Sequence, residues 1–244
     1  RKDTEKRWTN LLEGHELYCS GHLIEAACTY YEATGKRKLL DIAVKNAECI
    51  YDRFVMQNTE GIPGHPEIEL ALLRLYRLTE NKHFLELAQK FINERGKAPD
   101  FWAREAKKRS WSVWNSDPWG NDYRQSAKPV REQTEAVGHA VRAVYLYTGM
   151  ADLAAETEDK ELFAACRRLW ENIVHRKMYI TGGIGSTVQG EAFTVDYDLP
   201  PDTAYSETCA AIGLIFFAEK MLENEINGEY GLSLIHISEP TRRS

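Results

Sequence analysis

Thr34-Gly-Lys-Arg-Lys-Leu-Leu-Asp-Ile-Ala43, Thr79-Glu-Asn-Lys-His-Phe-Leu-Glu-Leu-Ala88 and Thr157-Glu-Asp-Lys-Glu-Leu-Phe-Ala-Ala-Cys166 align without a gap. Each is a polar turn that opens an apolar-periodic helix, with Thr suited to an N-cap or turn position. A Gly-His pair heads the helix upstream of each turn: Gly21-His22, Gly64-His65 and Gly138-His139. The unit is helix, short turn, helix, and its first two copies lie about 45 residues apart. Residues 97–131 are inserted before the third copy. Leu23, Ala26, Ala27, Tyr30 and Tyr31 fall on one helical face, as do Leu70, Leu73 and Leu75 with Leu78 at the edge. Strand signals are confined to residues 177–180 and 193–195, short enough for loop-edge ribbons. Helical hairpins stack into an open solenoid or close into an α/α toroid. Closure, with the Gly-His pairs converging at one end, is the expected arrangement, and the predicted fold class is all-α.

Composition narrows the function classes. Hydrophobic content of 43% with 28% charged residues is that of an ordinary soluble globular chain. A net charge of −6 without a basic stripe offers no footprint for nucleic acid. No apolar run approaches the roughly 18 residues that span a bilayer, so no membrane segment is expected. The chain opens at Arg1 rather than Met, and a preceding segment is expected to be missing. Cys19, Cys28, Cys49, Cys166 and Cys209 form an odd set without disulfide spacing, which favours a reducing, cytoplasmic compartment. The first four read as small buried apolar residues on helices. After Gly231 the pattern breaks abruptly. Leu-Ser-Leu-Ile-His-Ile-Ser-Glu-Pro-Thr-Arg-Arg-Ser244 resembles a translated sequencing adapter, so residues 232–244 are expected to be a non-native tail and His236 is set aside.

Chemistry gathers late in the chain. Thr181-Gly-Gly-Ile-Gly-Ser186 must form a sharp loop, because glycine permits positive φ and close backbone approach. With no Lys-Ser/Thr after it, a phosphate cradle is poorly supported. Its use is to aim Glu191 into a cavity, or Glu191 is a solvated loop residue. Glu207 and Cys209 stand just before the apolar run Ala210-Ala-Ile-Gly-Leu-Ile-Phe-Phe-Ala218. Residues i and i+2 are about 200° apart on a helix, so the two converge only at a helix entrance, where Ser206 or Thr208 supplies the cap. They read either as two zinc ligands or as a capping Glu beside a buried Cys, and two ligands alone do not make a zinc site. His15, His22, His65 and His139 lie at or just before helix starts, as packing residues or as neutral imidazoles that hydrogen-bond sugar hydroxyls. Four of the six tryptophans fall between Asp100 and Trp119, on a loop that serves as a binding surface for sugar rings or packs onto the body.

In combination these segments resemble glycoside hydrolase family 127, the β-L-arabinofuranosidases. The matching pieces are His15-Glu-Leu-Tyr-Cys-Ser-Gly-His-Leu-Ile-Glu-Ala26, Gly64-His-Pro-Glu-Ile-Glu-Leu-Ala71, Gly138-His139, Thr181-Gly-Gly-Ile-Gly-Ser186, Glu191-Ala-Phe193, Asp198-Leu-Pro200 and Tyr205-Ser-Glu-Thr-Cys-Ala210. The resemblance implies that residues 1–231 are part of an (α/α)6-barrel catalytic domain. It implies Glu191 as general acid/base, His15, His65 and His139 as sugar contacts, and Glu207 and Cys209 as two ligands of a zinc ion. It also implies two adjacent cysteines farther downstream that complete the zinc site. One of them is the nucleophile, which forms a covalent glycosyl-thioether before water releases the sugar with retained configuration. No cysteine follows Cys209 here, so the 244-residue chain is expected to bind zinc weakly and not to turn over.

The function this implies is a retaining glycosidase that releases L-arabinofuranose from a carbohydrate partner. The full protein is open to forming a homo-oligomer. A sugar epimerase or lyase on the same barrel, and a non-catalytic helical-repeat interaction module, are the competing readings. The module gives no reason for Glu191, Glu207 and Cys209 to face one cavity.

Overall fold

A computed structural model describes residues 4–109, 111–114 and 119–231. The tail from 232 onward, with His236, lies outside the described residues. The described residues are all-α apart from isolated bridges, and they fall into two compact units, residues 1–118 and 119–244.

The first unit holds α1 (Glu16–Thr34), α2 (Lys38–Tyr51), α3 (Ile68–Thr79), α4 (Lys82–Glu94) and α5 (Phe101–Lys108). Here α1 packs on α2 and α3, and α4 on α2 and α3, so two hairpins lie side by side. The second unit holds α6 (Ala140–Thr157), α7 (Lys160–Asn172) and α8 (Thr208–Asn224), with α6 packed on both others. Every residue of α6 from Ala140 to Ala154 is buried, as its apolar composition on all sides requires. No helix of the described residues is long and apolar enough to cross a membrane.

The three repeated turns are built alike, though not as their threonines suggest. Thr34, Thr79 and Thr157 end the first helix of each hairpin rather than capping the second. Their hydroxyls donate to the carbonyl four residues back, at 2.6 Å, 2.7 Å and 2.7 Å. The next residue, Gly35, Glu80 or Glu158, turns left-handed and returns its N–H to Tyr31, Tyr76 or Ala154. The caps of the following helices come from elsewhere: Asn81 accepts from the His83 N–H, and Asp159 from that of Leu162. Ala43, Ala88 and Cys166, which share one repeat position, are all fully buried.

Other expectations shift in register. Gly64-His65 and Gly138-His139 do precede α3 and α6, but Gly21-His22 lies inside α1, which starts at Glu16. Gly21 is buried there because a Cβ would meet Glu67 Cγ at 2.6 Å. The core stripe of α1 is accordingly Leu17, Gly21, Ile24, Ala27 and Cys28, while Leu23 and Tyr30 are exposed. On α3 the buried set includes Leu72 together with Leu73 and Leu75. Cys28 and Cys166 are buried as expected, whereas Cys19 and Cys49 are exposed. The insert is not all loop, since it contains α5 with Trp102 buried on it.

Candidate functional site

In the second unit, the N-terminus of α6 is the platform. Gly138, at φ +72, lets the chain pass so close to residues 122–123 that a Cβ would sit 2.2 Å from the Asp122 carbonyl. His139 follows as N-cap, and its Nδ1 accepts the Arg142 N–H at 3.3 Å. A nitrogen that accepts there carries no proton, so Nε2 bears the hydrogen and donates it to Glu191 Oε2 at 2.9 Å. Burial, foremost, and the Arg142 charge push the His139 pKa down to about 4 against the pull of Glu191, which keeps the imidazole neutral.

Glu191 is locked by its own backbone. Thr187 and Ala192 exchange N–H···O bonds of 3.2 Å and 3.1 Å across a tight loop. The Glu191 carbonyl accepts from Ala140, the first residue of α6, and Phe193 donates to Gly138. Gly190 and Glu191 are both left-handed, at φ 71 and 52. The Glu191 side chain is 41% exposed, and its second oxygen accepts from the Tyr205 hydroxyl at 3.0 Å. Both carboxylate oxygens are thus aimed by donors while one side stays open to solvent. The hydrogen bond to Glu191, ahead of burial, pushes the Tyr205 phenol up.

The glycine-rich run sets the entrance to α8. Gly185 and Ser186 accept from the backbone N–H groups of Ser206 and Tyr205. A Cβ on Gly183 would crowd Ser206 at 3.1 Å. Neither Ser206 nor Thr208 caps α8. Glu207 occupies the N-cap position with no side-chain cap bond, because its carboxyl turns to Cys209 instead. The Cys209 Sγ–H donates to Glu207 Oε1 at 3.4 Å, so the two side chains converge at the helix entrance, as residues i and i+2 can only there. Burial, first, and contact with Glu207 push the thiol up, and burial also raises the Glu207 carboxyl.

A metal fits this corner. One ligand atom each from His139, Glu191 and Glu207 lie within 4.8 Å of one another. Glu207 Oε2 is buried without a hydrogen-bond partner, an expensive state for a carboxyl oxygen. An orphaned oxygen next to a thiol is a donor set suited to a borderline-soft ion such as Zn²⁺. Both nitrogens of His139 are already engaged, which leaves Glu207, through its unpartnered Oε2, as the readiest donor of that group.

His15 and His65 belong to the first unit, where their rings lie 5.9 Å apart. Their Nδ1 atoms sit 2.7 Å from the carbonyls of Glu13 and Pro66. A carbonyl only accepts, so in both rings Nδ1 carries a proton, and in a neutral ring Nε2 is the acceptor nitrogen. The Glu13 segment is pinned by its own buried carboxylate, which accepts from Asn10, Arg109, Ser112 and the Val113 N–H. Burial opposes the charge on Glu13, but these donors outweigh it and hold the carboxyl below its usual range. The His65 segment is pinned by buried Arg95, which bonds the Pro63 carbonyl at 2.8 Å and Glu69 at 3.3 Å. His22 packs instead against buried Glu67, Nδ1 to Oε1 at 3.2 Å. Tyr205 heads one of the segments that carry the resemblance, but its contact with Glu191, fourteen positions away along irregular chain, follows from no period in the sequence.

Residues 1–231 match the family model described as β-L-arabinofuranosidase, GH127 catalytic domain. The chain is 45% identical over 233 residues to the non-reducing end β-L-arabinofuranosidase of Bifidobacterium longum subsp. longum, a match covering 92% of this chain and 35% of that one. It superposes on a GH127 β-L-arabinofuranosidase from Geobacillus stearothermophilus T6 with a TM-score of 0.89 and 50% identity, over 97% of this chain and 38% of that one. A second solved GH127 β-arabinofuranosidase gives 0.84 and 41%, over 96% and 34%. The chain therefore spans about a third of the length of these relatives. On this match, the chain belongs to the GH127 β-L-arabinofuranosidase catalytic-domain family.

Proposed function

We propose that residues 1–231 are part of an (α/α)6-barrel catalytic domain of a retaining β-L-arabinofuranosidase that releases L-arabinofuranose from carbohydrate substrates. Glu191 is the general acid/base. The observation that carries this reading is the Tyr205–Glu191–His139 arrangement, in which donors at 3.0 Å and 2.9 Å orient a carboxyl group whose other side is open. A positioned carboxyl within reach of a leaving oxygen supplies the proton for bond cleavage and later recovers one from water.

The three histidines divide the remaining work. His15 and His65 present acceptor nitrogens, which suit the O–H donors of a sugar. His139 contacts the sugar from beside Glu191, while its Nε2–H keeps that carboxyl in place. Glu207 and Cys209 hold the zinc ion, which when bound lowers the pKa of a coordinated thiol so that the thiolate is present at neutral pH. The nucleophilic cysteine that the family resemblance implies has no counterpart among the five cysteines of these 244 residues.

The test is Glu191→Gln in the complete enzyme, assayed on an aryl β-L-arabinofuranoside. A fall in kcat of about 10²–10⁴-fold is expected, the range for losing a general acid/base. Retention of more than a tenth of the activity would refute the assignment and favour an acid and base drawn from the histidines, as in an epimerase or lyase.

A further inference from the structure

The aromatic residues at the end of the insert are unused by the reading above, yet they abut the acid/base loop. Trp119 stacks on Tyr123 with ring centroids 5.0 Å apart and planes 18° from parallel. Arg142, on the first turn of α6, places its guanidinium 4.7 Å from the Tyr123 ring centre, and Tyr123 meets His139 edge-on at 5.6 Å. The stack is rooted in buried groups. Arg124, 1% exposed, bonds the carbonyls of Trp119 and Gly120 at 2.9 Å and 3.2 Å. The loop carrying Glu191 lies on these rings: a Cβ on Gly190 would stand 3.0 Å from Trp119 Cζ3 and 3.2 Å from Tyr123 Cε2. Trp119 itself remains partly exposed.

An indole packed against Gly190, the residue before the proton donor, faces a definite chemical demand. The atom that Glu191 protonates is the glycosidic oxygen, so whatever is attached to that oxygen on the leaving side lies next to this carboxyl. An aromatic face backed by a second ring and a buried cation suits the apolar C–H face of a saturated ring and leaves that ring's hydroxyls free for water. The geometry points to Trp119, supported by Tyr123, Arg142 and Arg124, as the leaving-group subsite, selecting substrates in which the released partner is itself a ring, a second sugar above all. This rests on Glu191 being the acid/base.

The experiment compares two substrates in the complete enzyme: methyl β-L-arabinofuranoside and a β-L-arabinofuranosyl disaccharide. Trp119→Ala is expected to lower kcat/KM for the disaccharide about tenfold more than for the methyl glycoside, the scale of one lost stacking contact, with the difference residing in KM. Trp119→Phe is expected to restore part of it, and the same substrate ratio read from this variant decides the matter if the Ala variant does not fold. Equal losses on both substrates would show that the indole only supports the Gly190 turn and would overturn the subsite, as would no loss on either. Glu191→Gln separates the two levels: crippling both substrates alike upholds the acid/base, whereas failure of the unaltered enzyme to cleave either overturns that reading and this one with it.

Discussion

One histidine–carboxyl contact in each unit, His22–Glu67 in the first and His139–Glu191 in the second, makes a pair of opposites in burial. In the first, Glu67 is 4% exposed and His22 47%; in the second, His139 is 8% exposed and Glu191 41%. Burial decides which partner loses its charge. Burial, followed by the nearby Glu25 and Glu69, pushes the Glu67 carboxyl up to about 9, and His22 is pulled down, so that contact joins an acid to a neutral imidazole. Around His139 the base is the suppressed member, and the carboxyl faces water. A His–carboxyl contact alone therefore says little about function. The pair that leaves its acid at an open surface is the one fit to exchange protons with a substrate.

The largest expected effect breaks that contrast at its functional end. His139→Ala removes the donor on Glu191 Oε2 and the α6 N-cap together. In the complete enzyme it is expected to lower kcat by about 10²-fold, comparable with losing oriented acid–base assistance, and to cost about 1 kcal/mol as a lost cap. His22→Ala, which removes a ring lying against the buried acid and Tyr18, is expected to change kcat less than threefold. Steady-state kinetics on an aryl β-L-arabinofuranoside, with thermal unfolding alongside, would show the contrast to be wrong if the two variants lost activity equally.

A second, smaller effect tests the buried acid through pH. The folded-state pKa of Glu67, about 9, stands above its ordinary 4.5, so between those values the folded chain keeps a proton that the unfolded chain has released. Stability from this group is complete below pH 4.5 and drains away as pH rises toward 9. Glu67→Gln carries no titrating proton, so the variant is expected to gain on the parent by about 2 kcal/mol between pH 5 and pH 6.5. Unfolding midpoints at the two pH values measure it, and parallel curves would mean that Glu67 is ionised in the fold.

Much of this was legible in the sequence, and what was not has physical causes. The repeat revealed the hairpins because each copy needs the same turn and the same small buried residue, Ala43, Ala88 or Cys166. Helix geometry said where Glu207 and Cys209 could converge, at a helix entrance, but not whether they would meet or Glu207 would cap the helix instead. The face of α1 was misread because apolar residues surround that helix. What selects the buried stripe is Gly21, whose missing side chain admits Glu67 from a segment 46 residues away. Tyr205 at Glu191 and Trp119 under Gly190 were invisible for the same reason. Both contacts are made by irregular chain, whose path follows from backbone hydrogen bonds such as Ser206 to Gly185 rather than from any period.

The smallest effect sharpens the comparison between the units at the repeat itself. The residue after each terminal threonine is left-handed in all three copies: Gly35 at φ 70, Glu80 at 57 and Glu158 at 53. Glycine adopts that conformation without a Cβ clash, whereas a side chain there costs about 1 kcal/mol. The backbone N–H of Glu158 still returns to Ala154, so the cap bond survives substitution. Glu158→Gly is therefore expected to stabilise the second unit by about 0.5–1 kcal/mol, set against the extra entropy of glycine in the unfolded chain. At this chain length that is a rise of about 1–4 °C in the unfolding midpoint. Glu80→Gly should do the same in the first unit, and the two gains should add because the sites share no partner. A fall in midpoint for either variant would mean that its glutamate makes a compensating contact, and that the three turns are alike in shape but not in energy.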